Sequence, residues 1–365
     1  MELEQAKDAV MTASKQLASL GLVARTWGNV SCRVGEGHFL ITPSGKPYEH
    51  LNKDQLVLVA LADLSYPKEM KPSSEKKLHR EVYRQKKDVA CVIHTHQEMA
   101  SLAGLLGEDI PVSDQGKPLL GEIIPVAQYG LPGTKTLVRN ARKAIVGNDA
   151  TTVLLANHGA LCFGSDEKET LAIAKQLEVE CRAHLAKLVP LFGEKVETLA
   201  VVLAGHETDA SQAQDLKQAQ TLIPKRAREI ASLLVAKATL QKSVLFHTSP
   251  AALEVSRRLE KLPSYLDDFA QIAGTKVVVI GPATDPTSIV GKVGRTCNAL
   301  IIQDEGALCW ATTKSDAEAV ALILEKNCKA ALIALEVPKV QPIGWLDTRL
   351  MRFVYQKKYS RIAQG

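Results

Sequence analysis

Apolar residues Leu3, Ala6, Val10, Ala13, Leu17 and Leu20 recur every three or four positions, the spacing of one helical face. They predict an amphipathic helix closed by Gly21, since glycine accepts the left-handed conformation that ends helices. TWGNVSCRV reads as a strand, HFLITPSGKPYEHL as a strand leading into a Pro-Ser-Gly loop, and QLVLVAL as a short buried strand. PSSEKKLHREVYRQ predicts a helix capped by Ser73 or Ser74. DVACVIHTH is a strand ending on two histidines, and TKTLVRNARKAI a helix. TTVLLANHGALCFG reads as strand, turn and strand, followed by a long amphipathic helix over DEKETLAIAKQLEVECRAHLAKLV. The short NHG connection favours an antiparallel pair, because a parallel crossover needs a dozen or more residues. The expected class is α/β, a mainly antiparallel or mixed sheet covered by helices.

The stretch from Gly205 to Gln220 is polar and poor in bulky apolar side chains, so a linker is expected there, dividing 1–205 from 206–365. Beyond it the α/β alternation resumes, and part of it repeats the first half. Shifted by 147 residues, His158–Leu185 aligns without a gap on Glu305–Leu332, with 11 of 28 positions identical, among them Cys162/Cys309 and Cys181/Cys328. This implies an internal duplication, with a period far longer than that of solenoid repeats. Upstream, VACVIHTH is aligned with KVVVIGPA. That alignment puts Gly281 and Ala283 at the places of His94 and His96, and Glu305 at that of His158. The helices should bury Ala172, Leu177 and Leu185 in one half and Ala319, Leu324 and Leu332 in the other.

Composition narrows the function. Hydrophobic residues make up 46% and charged residues 23%, an ordinary globular balance. Aromatics are only 4%, too few for a platform that stacks single-stranded bases. The net charge of +5 comes from 45 basic and 40 acidic residues. The basic residues are scattered except for Arg349, Arg352, Lys357, Lys358 and Arg361, which read as a solvated face, so no nucleic-acid partner is expected. No uncharged apolar run reaches the roughly 18 residues of a membrane span, and the N-terminus reads as a helix rather than a signal peptide. Seven cysteines, an odd number without a CxxC pair, indicate reduced thiols and a cytoplasmic protein.

Three histidines stand at strand ends. His94 and His96 are two apart and leave the same face of an extended strand. His158 sits at a second strand–turn junction. Together they offer three nitrogens to a divalent metal, a set that zinc favours with a further position left open. The second half keeps the surrounding Gly, Ala, Leu and Cys without these histidines, so the histidines are separable from the packing pattern. Glu75 follows Pro-Ser-Ser at a helix start. It reads either as an acid favoured by the helix dipole, or as a general base and a metal ligand when substrate is absent. Thr26-x-Gly28-Asn29, Ser44-Gly45 and Ser73-Ser74 are turns that would serve as ordinary connections or as a phosphate cradle.

Thr26-Trp27-Gly28-Asn29-Val30-Ser31, Ile41-Thr42-Pro43-Ser44-Gly45, Ser73-Ser74-Glu75, Val92-Ile93-His94-Thr95-His96 and Asn157-His158-Gly159 occur in the order and spacing of the class II aldolase/adducin family. The resemblance covers residues 3–190; the C-terminal half resembles the family only through the repeat. It implies a three-layer α/β/α fold with a mainly antiparallel sheet, followed by a second related α/β domain that is degenerate and non-catalytic. It implies Zn2+, or another divalent ion such as Mn2+ or Co2+, on His94, His96 and His158, with Glu75 transferring the proton. It places a substrate phosphate against Thr26, Gly28, Asn29, Ser44, Gly45, Ser73 and Ser74. The implied reaction is aldol cleavage or formation in a small sugar phosphate through a metal-stabilised enediolate. Epimerisation or another lyase step at the same site, and a non-enzymatic adducin-like scaffold, are the alternatives. Relatives assemble into rings, so a homo-oligomer is expected. The chain departs from the family at its second acid. The fuculose-phosphate aldolases carry a Tyr where Gln115 stands, and the epimerases an Asp near the place of Lys117. Asp114, Lys117 and Tyr129 are the candidate substitutes.

Overall fold

The computed structural model describes residues 1–23, 27–193, 198–204, 223–237, 243–288 and 297–358. The expected linker at Gly205–Gln220, Thr26 and Arg361 lie outside the described residues. The chain divides into two compact units, Met1–Gly193 and Glu194–Gly365.

The first unit runs α1 (Leu3–Ser19), β1 (Asn29–Val34), β2 (His38–Ile41), β3 (Val57–Ala60), α2 (Lys76–Gln85), β4 (Cys91–Thr95), α3 (Glu98–Ala103), β5 (Ile110–Pro111), α4 (Lys117–Leu120), β6 (Ile123–Ile124), β7 (Val126–Ala127), α5 (Lys135–Ile145), β8 (Thr152–Leu155), β9 (Gly159–Gly164) and α6 (Glu167–Ala186). Seven strands form one sheet in the order β3-β2-β1-β4-β9-β8-β7. Only β7–β8 is parallel; the other pairs are antiparallel, including the hairpin across Asn157-His158. Two strand faces are buried, so the strands read as continuous apolar runs. On one face α2 and α5 lay Leu78, Val82, Leu137, Ala141 and Ile145 against Phe39, Val59, Val92, Leu161 and Phe163. On the other, α1, α3 and α6 cover Val30, Cys32, Ile93 and Cys162, completing three layers. Each large apolar side chain buried here contributes about 1.5–3 kcal/mol. The periodicity of α1 is realised as burial of Ala6, Val10, Ala13 and Leu17. Helix α6 buries Leu177 and Leu185, while Ala172 is half-buried.

The second unit contains β10 (Leu199–Ala204), α7 (Lys225–Lys237), β11 (Ser243–Thr248), α8 (Pro250–Arg258), β12 (Lys261–Pro263), α9 (Asp267–Ile272), β13 (Lys276–Ile280), β14 (Ala299–Ile302), β15 (Gly306–Ala311), α10 (Lys314–Glu336) and α11 (Trp345–Lys358). Its sheet order is β10-β11-β15-β14-β13-β12. The expected boundary at 205 is corrected here. Leu199–Ala204 pairs with Ser243–Thr248 and so belongs to the second sheet. An apolar run does not state which of two sheets it joins; only the partner strand does.

The 147-residue shift reappears in the registers. Thr152↔Cys162 through Leu155↔Gly159 in the first unit is matched by Ala299↔Cys309 through Ile302↔Gly306 in the second. Asn157 and Asp304, both at the hairpin turn, adopt left-handed φ values of 63° and 60°. Asp166 and Thr313 cap the following helices through the same i+3 N–H. Ala319, Leu324 and Leu332 are buried as expected.

The upstream alignment is corrected. KVVVIGP is not the counterpart of VACVIHTH. Val279 and Ile280 run parallel to β14, as Val126 and Ala127 run parallel to β8. The place of β4 is taken by β11: His94 faces Leu161, and Phe246 faces the equivalent Leu308. Phe246 and, one turn of the pleat on, Thr248 therefore stand where His94 and His96 do, in place of Gly281 and Ala283. Both strands are short and apolar, and sheet position follows from long-range pairing that local pattern does not encode.

Candidate metal centre and active site

Each site residue sits where regular structure ends. His94 is the penultimate residue of β4, with His96 just beyond; His158 lies in the turn between β8 and β9; Glu75 occupies the cap position of α2. The expected Ser73 or Ser74 cap is thus displaced by one or two residues, and Ser73 Oγ instead accepts the Glu75 N–H at 3.2 Å. Glycine makes the approach of the strands possible. A Cβ on Gly159 would stand 2.2 Å from the Thr95 carbonyl oxygen, and one on Gly28 would stand 2.7 Å from that of His94.

Glu75, His94, His96 and His158 present one ligand atom each, all within 4.8 Å of one another, the single such group among the described residues. His94 Nε2 lies 3.1 Å from both His96 Nε2 and His158 Nε2. The Glu75 oxygens lie 2.9 Å from His158 Nε2 and 3.0 Å from His94 Nε2. His94 and His158 are buried. The His94 Nδ1–H donates to the Ala160 carbonyl at 2.9 Å, leaving the Nε2 lone pair directed inward. That outer hydrogen bond is the usual device for orienting a ligating imidazole. Three inward imidazole nitrogens and one carboxylate form a donor set that suits a borderline divalent ion. Burial works to raise the Glu75 carboxyl, but the facing His94 and His158 overcome it and hold it well below the usual carboxylate range.

The remaining predicted residues fall into two groups. Ser44 and Ser73 are brought together: Ser44 N–H donates to Lys71 O, Ser73 N–H to Thr42 O, and Pro43 bridges Pro72. Gly45, with φ 75°, and Ser74 belong to the same two loops. Asn29 is different. Its carboxamide lies between Glu75 and His79, with Nδ2 donating to Glu75 Oε2 at 3.0 Å and Oδ1 2.5 Å from His79 Nε2. Asp114 and Lys117 pair with each other at 2.9 Å, and Lys117 also with Glu122 at 3.2 Å; the Asp114 side chain is 95% exposed. The Tyr129 carbonyl accepts from Asn140 Nδ2.

Sequence reasoning passed over His79, Ser31 and Tyr83, which are buried behind Glu75. A signal for them exists. Glu75 and His79 are four apart on one helix, and Asn29 and Ser31 two apart on one strand, so each pair shares a face.

Residues 8–185 match the family model of the class II aldolase and adducin N-terminal domain. The chain is 31% identical over 179 residues to 5-deoxy-D-ribulose 1-phosphate aldolase of Bacillus thuringiensis serovar kurstaki, covering 49% of this chain and 83% of that protein. It is 32% identical over 173 residues to 5-methylthioribulose-1-phosphate/5-deoxyribulose-1-phosphate aldolase of Rhodospirillum rubrum, covering 47% and 76%. It is 30% identical over 217 residues to L-fuculose phosphate aldolase of Escherichia coli, covering 57% and 97%. The matched stretch spans the α/β/α unit in which three histidines at strand ends meet the helix-cap Glu75. The chain belongs to the class II aldolase/adducin family and is an enzyme of the carbon–carbon lyase type.

Proposed function

We propose that the first unit carries out metal-dependent aldol cleavage and formation on a small ketose 1-phosphate. The observation that carries this reading is the convergence of His94, His96, His158 and Glu75 within 4.8 Å. The named substrates of the relatives, 5-deoxyribulose 1-phosphate, 5-methylthioribulose 1-phosphate and fuculose phosphate, support the substrate class. His94, His96 and His158 would hold the ion, Zn2+ in this reading or else Mn2+ or Co2+. Bound there, it supplies a Lewis acid that polarises the substrate carbonyl and the hydroxyl beside it. Glu75 is ionised at neutral pH. It takes the proton from the carbon next to the carbonyl in synthesis and returns it to the enediolate in cleavage. The Thr26, Ser44, Ser73 and Ser74 hydroxyls, with the Gly28 and Gly45 backbone, receive the phosphate.

The second unit is, in the same reading, a degenerate non-catalytic copy. Phe246, Thr248 and Glu305 replace the three histidines, and the Glu305 carboxylate accepts the Ala227 N–H in the first turn of α7. No helix among the described residues is long and apolar enough to cross a membrane. The seven cysteines, all free and buried, suit a cytoplasmic setting.

The test is elemental analysis of the purified protein, followed by incubation with dihydroxyacetone phosphate and small aldehydes. Bound divalent metal and aldol adducts are expected. Glu75→Gln should keep the metal and lower turnover by about 10²–10⁴-fold. Metal-free protein that stays inert after zinc is added, or Glu75→Gln turning over at the wild-type rate, overturns the assignment.

A further inference from the structure

Behind Glu75 a file of polar side chains runs into the interior of the first unit. Asn29 Nδ2 donates to Glu75 Oε2 at 3.0 Å. Asn29 Oδ1 lies 2.5 Å from His79 Nε2, and His79 Nδ1 lies 2.7 Å from Ser31 Oγ, which lies 2.7 Å from Tyr83 OH. Asn29 is 5% exposed, Tyr83 1%, and Ser31 and His79 0%.

The direction of every bond follows from the carboxylate. Glu75 can only accept, so the Asn29 amide must face it with its NH2 group, and Oδ1 must face His79. An oxygen there needs a donor, so Nε2 of His79 carries the ring proton. Nδ1 is then the acceptor, which makes Ser31 its donor, and Ser31 in turn accepts from Tyr83. With its proton on Nε2 and its lone pair on Nδ1, the wholly buried ring is a one-way connector between Asn29 and Ser31. A neutral Nδ1–H ring would set the bare Nε2 lone pair against the Asn29 oxygen, two acceptors in contact at a buried site.

We propose that His79 is a positioning residue for Glu75, holding Asn29 in the one orientation that presents an N–H to the Glu75 carboxylate, with Ser31 and Tyr83 fixing the His79 tautomer. The proposal rests on the aldolase reading of Glu75. Without His79, Asn29 is free to turn its carbonyl toward Glu75, which pushes the carboxylate out of line with the carbon it must deprotonate. Binding of substrate through the phosphate loops is untouched. The loss therefore falls on kcat, not KM. The size expected is that of losing an outer hydrogen-bonding partner at such a site, about 10–100-fold.

Proton transfer is read as exchange of solvent deuterium into dihydroxyacetone phosphate, which needs no aldehyde. In the zinc-loaded full chain, His79→Phe keeps the ring volume but neither link, and should lower the exchange kcat about 10–100-fold with KM within twofold and zinc content unchanged. His79→Gln, whose amide still offers an N–H to Asn29, should recover part of the loss. Ser31→Ala, a smaller change, should lower kcat in the same direction, and decides the matter if the Phe variant does not fold. Nitrogen-15 spectra of histidine-labelled wild-type protein should show His79 as the neutral Nε2–H tautomer. An Nδ1–H tautomer, unchanged kcat in both His79→Phe and Ser31→Ala, or a loss confined to KM overturns the proposal. If the wild type itself fails to exchange, the aldolase reading is what has failed, while the tautomer measurement still decides the geometry at His79.

Discussion

Lowering the pH from 7 to 5 is a perturbation whose effect on this fold can be worked from one residue. His79 is wholly buried and titrates at about 3, against 6.5 for an ordinary histidine. Between those values the unfolded chain binds a proton that the folded chain refuses, so stability falls as the pH falls. The loss begins near pH 6.5 and continues toward pH 3. At pH 5 the drop has covered about 1.5 pH units, or about 2 kcal/mol at 1.36 kcal/mol per unit. Glu75 acts in the same sense but in a lower window. Its depressed carboxyl stabilises the fold above the ordinary carboxylate range, and that contribution is lost only as the pH falls through and below it. His184, also lowered by burial, and Glu178, raised by it, contribute near this range as well, so the His79 share is read as the difference between the wild type and a variant that lacks the ring. The assay is a urea titration at both pH values in which protection of the Cys91–Thr95 amides from hydrogen exchange is read by mass spectrometry. Wild type should lose about 2 kcal/mol more than His79→Gln between the two pH values. Equal losses in the two proteins would refute the premise that the fold holds this ring neutral.

Three further outcomes are expected. The double variant His94→Ala, His158→Ala should lose bound metal and activity while keeping the circular dichroism of the wild type; stoichiometric metal in that variant, by elemental analysis, contradicts the ligand assignment. Gly159→Ala puts a Cβ about 0.8 Å inside a 3.0 Å contact limit with the Thr95 backbone oxygen. It should cost about 1–3 kcal/mol in the denaturation midpoint and weaken metal binding, because the same glycine adjoins His158. Metal analysis should give one ion per chain, since Phe246 and Thr248 replace two of the three imidazoles; a second equivalent that survives removal of His94 and His158 would contradict the non-catalytic reading of the second unit.

Much of the first unit was legible in the chain. The two-residue spacing of His94 and His96 puts both on one strand face whatever surrounds them. The brevity of the Asn157-His158-Gly159 connection leaves an antiparallel hairpin as the only option, and that brings His158 to the end of the same sheet. Helix faces such as Leu177 and Leu185 follow from the 3.6-residue period. These features depend on residues near in sequence, where backbone geometry alone fixes the outcome. What lay beyond reach depended on partners far along the chain. The strand over Lys276–Ile280 and that over Ser243–Thr248 have the same apolar texture, and only hydrogen bonding to Gly306–Ala311 makes the second one the counterpart of Cys91–Thr95. Leu199–Ala204 joins the second sheet for the same reason. Asn29 read as a turn residue for phosphate, yet its carboxamide is enclosed between Glu75 and His79, 46 and 50 residues away. A hydrogen bond between distant side chains is a product of packing: burial removes water as a competing partner, and the polar groups that remain must satisfy one another.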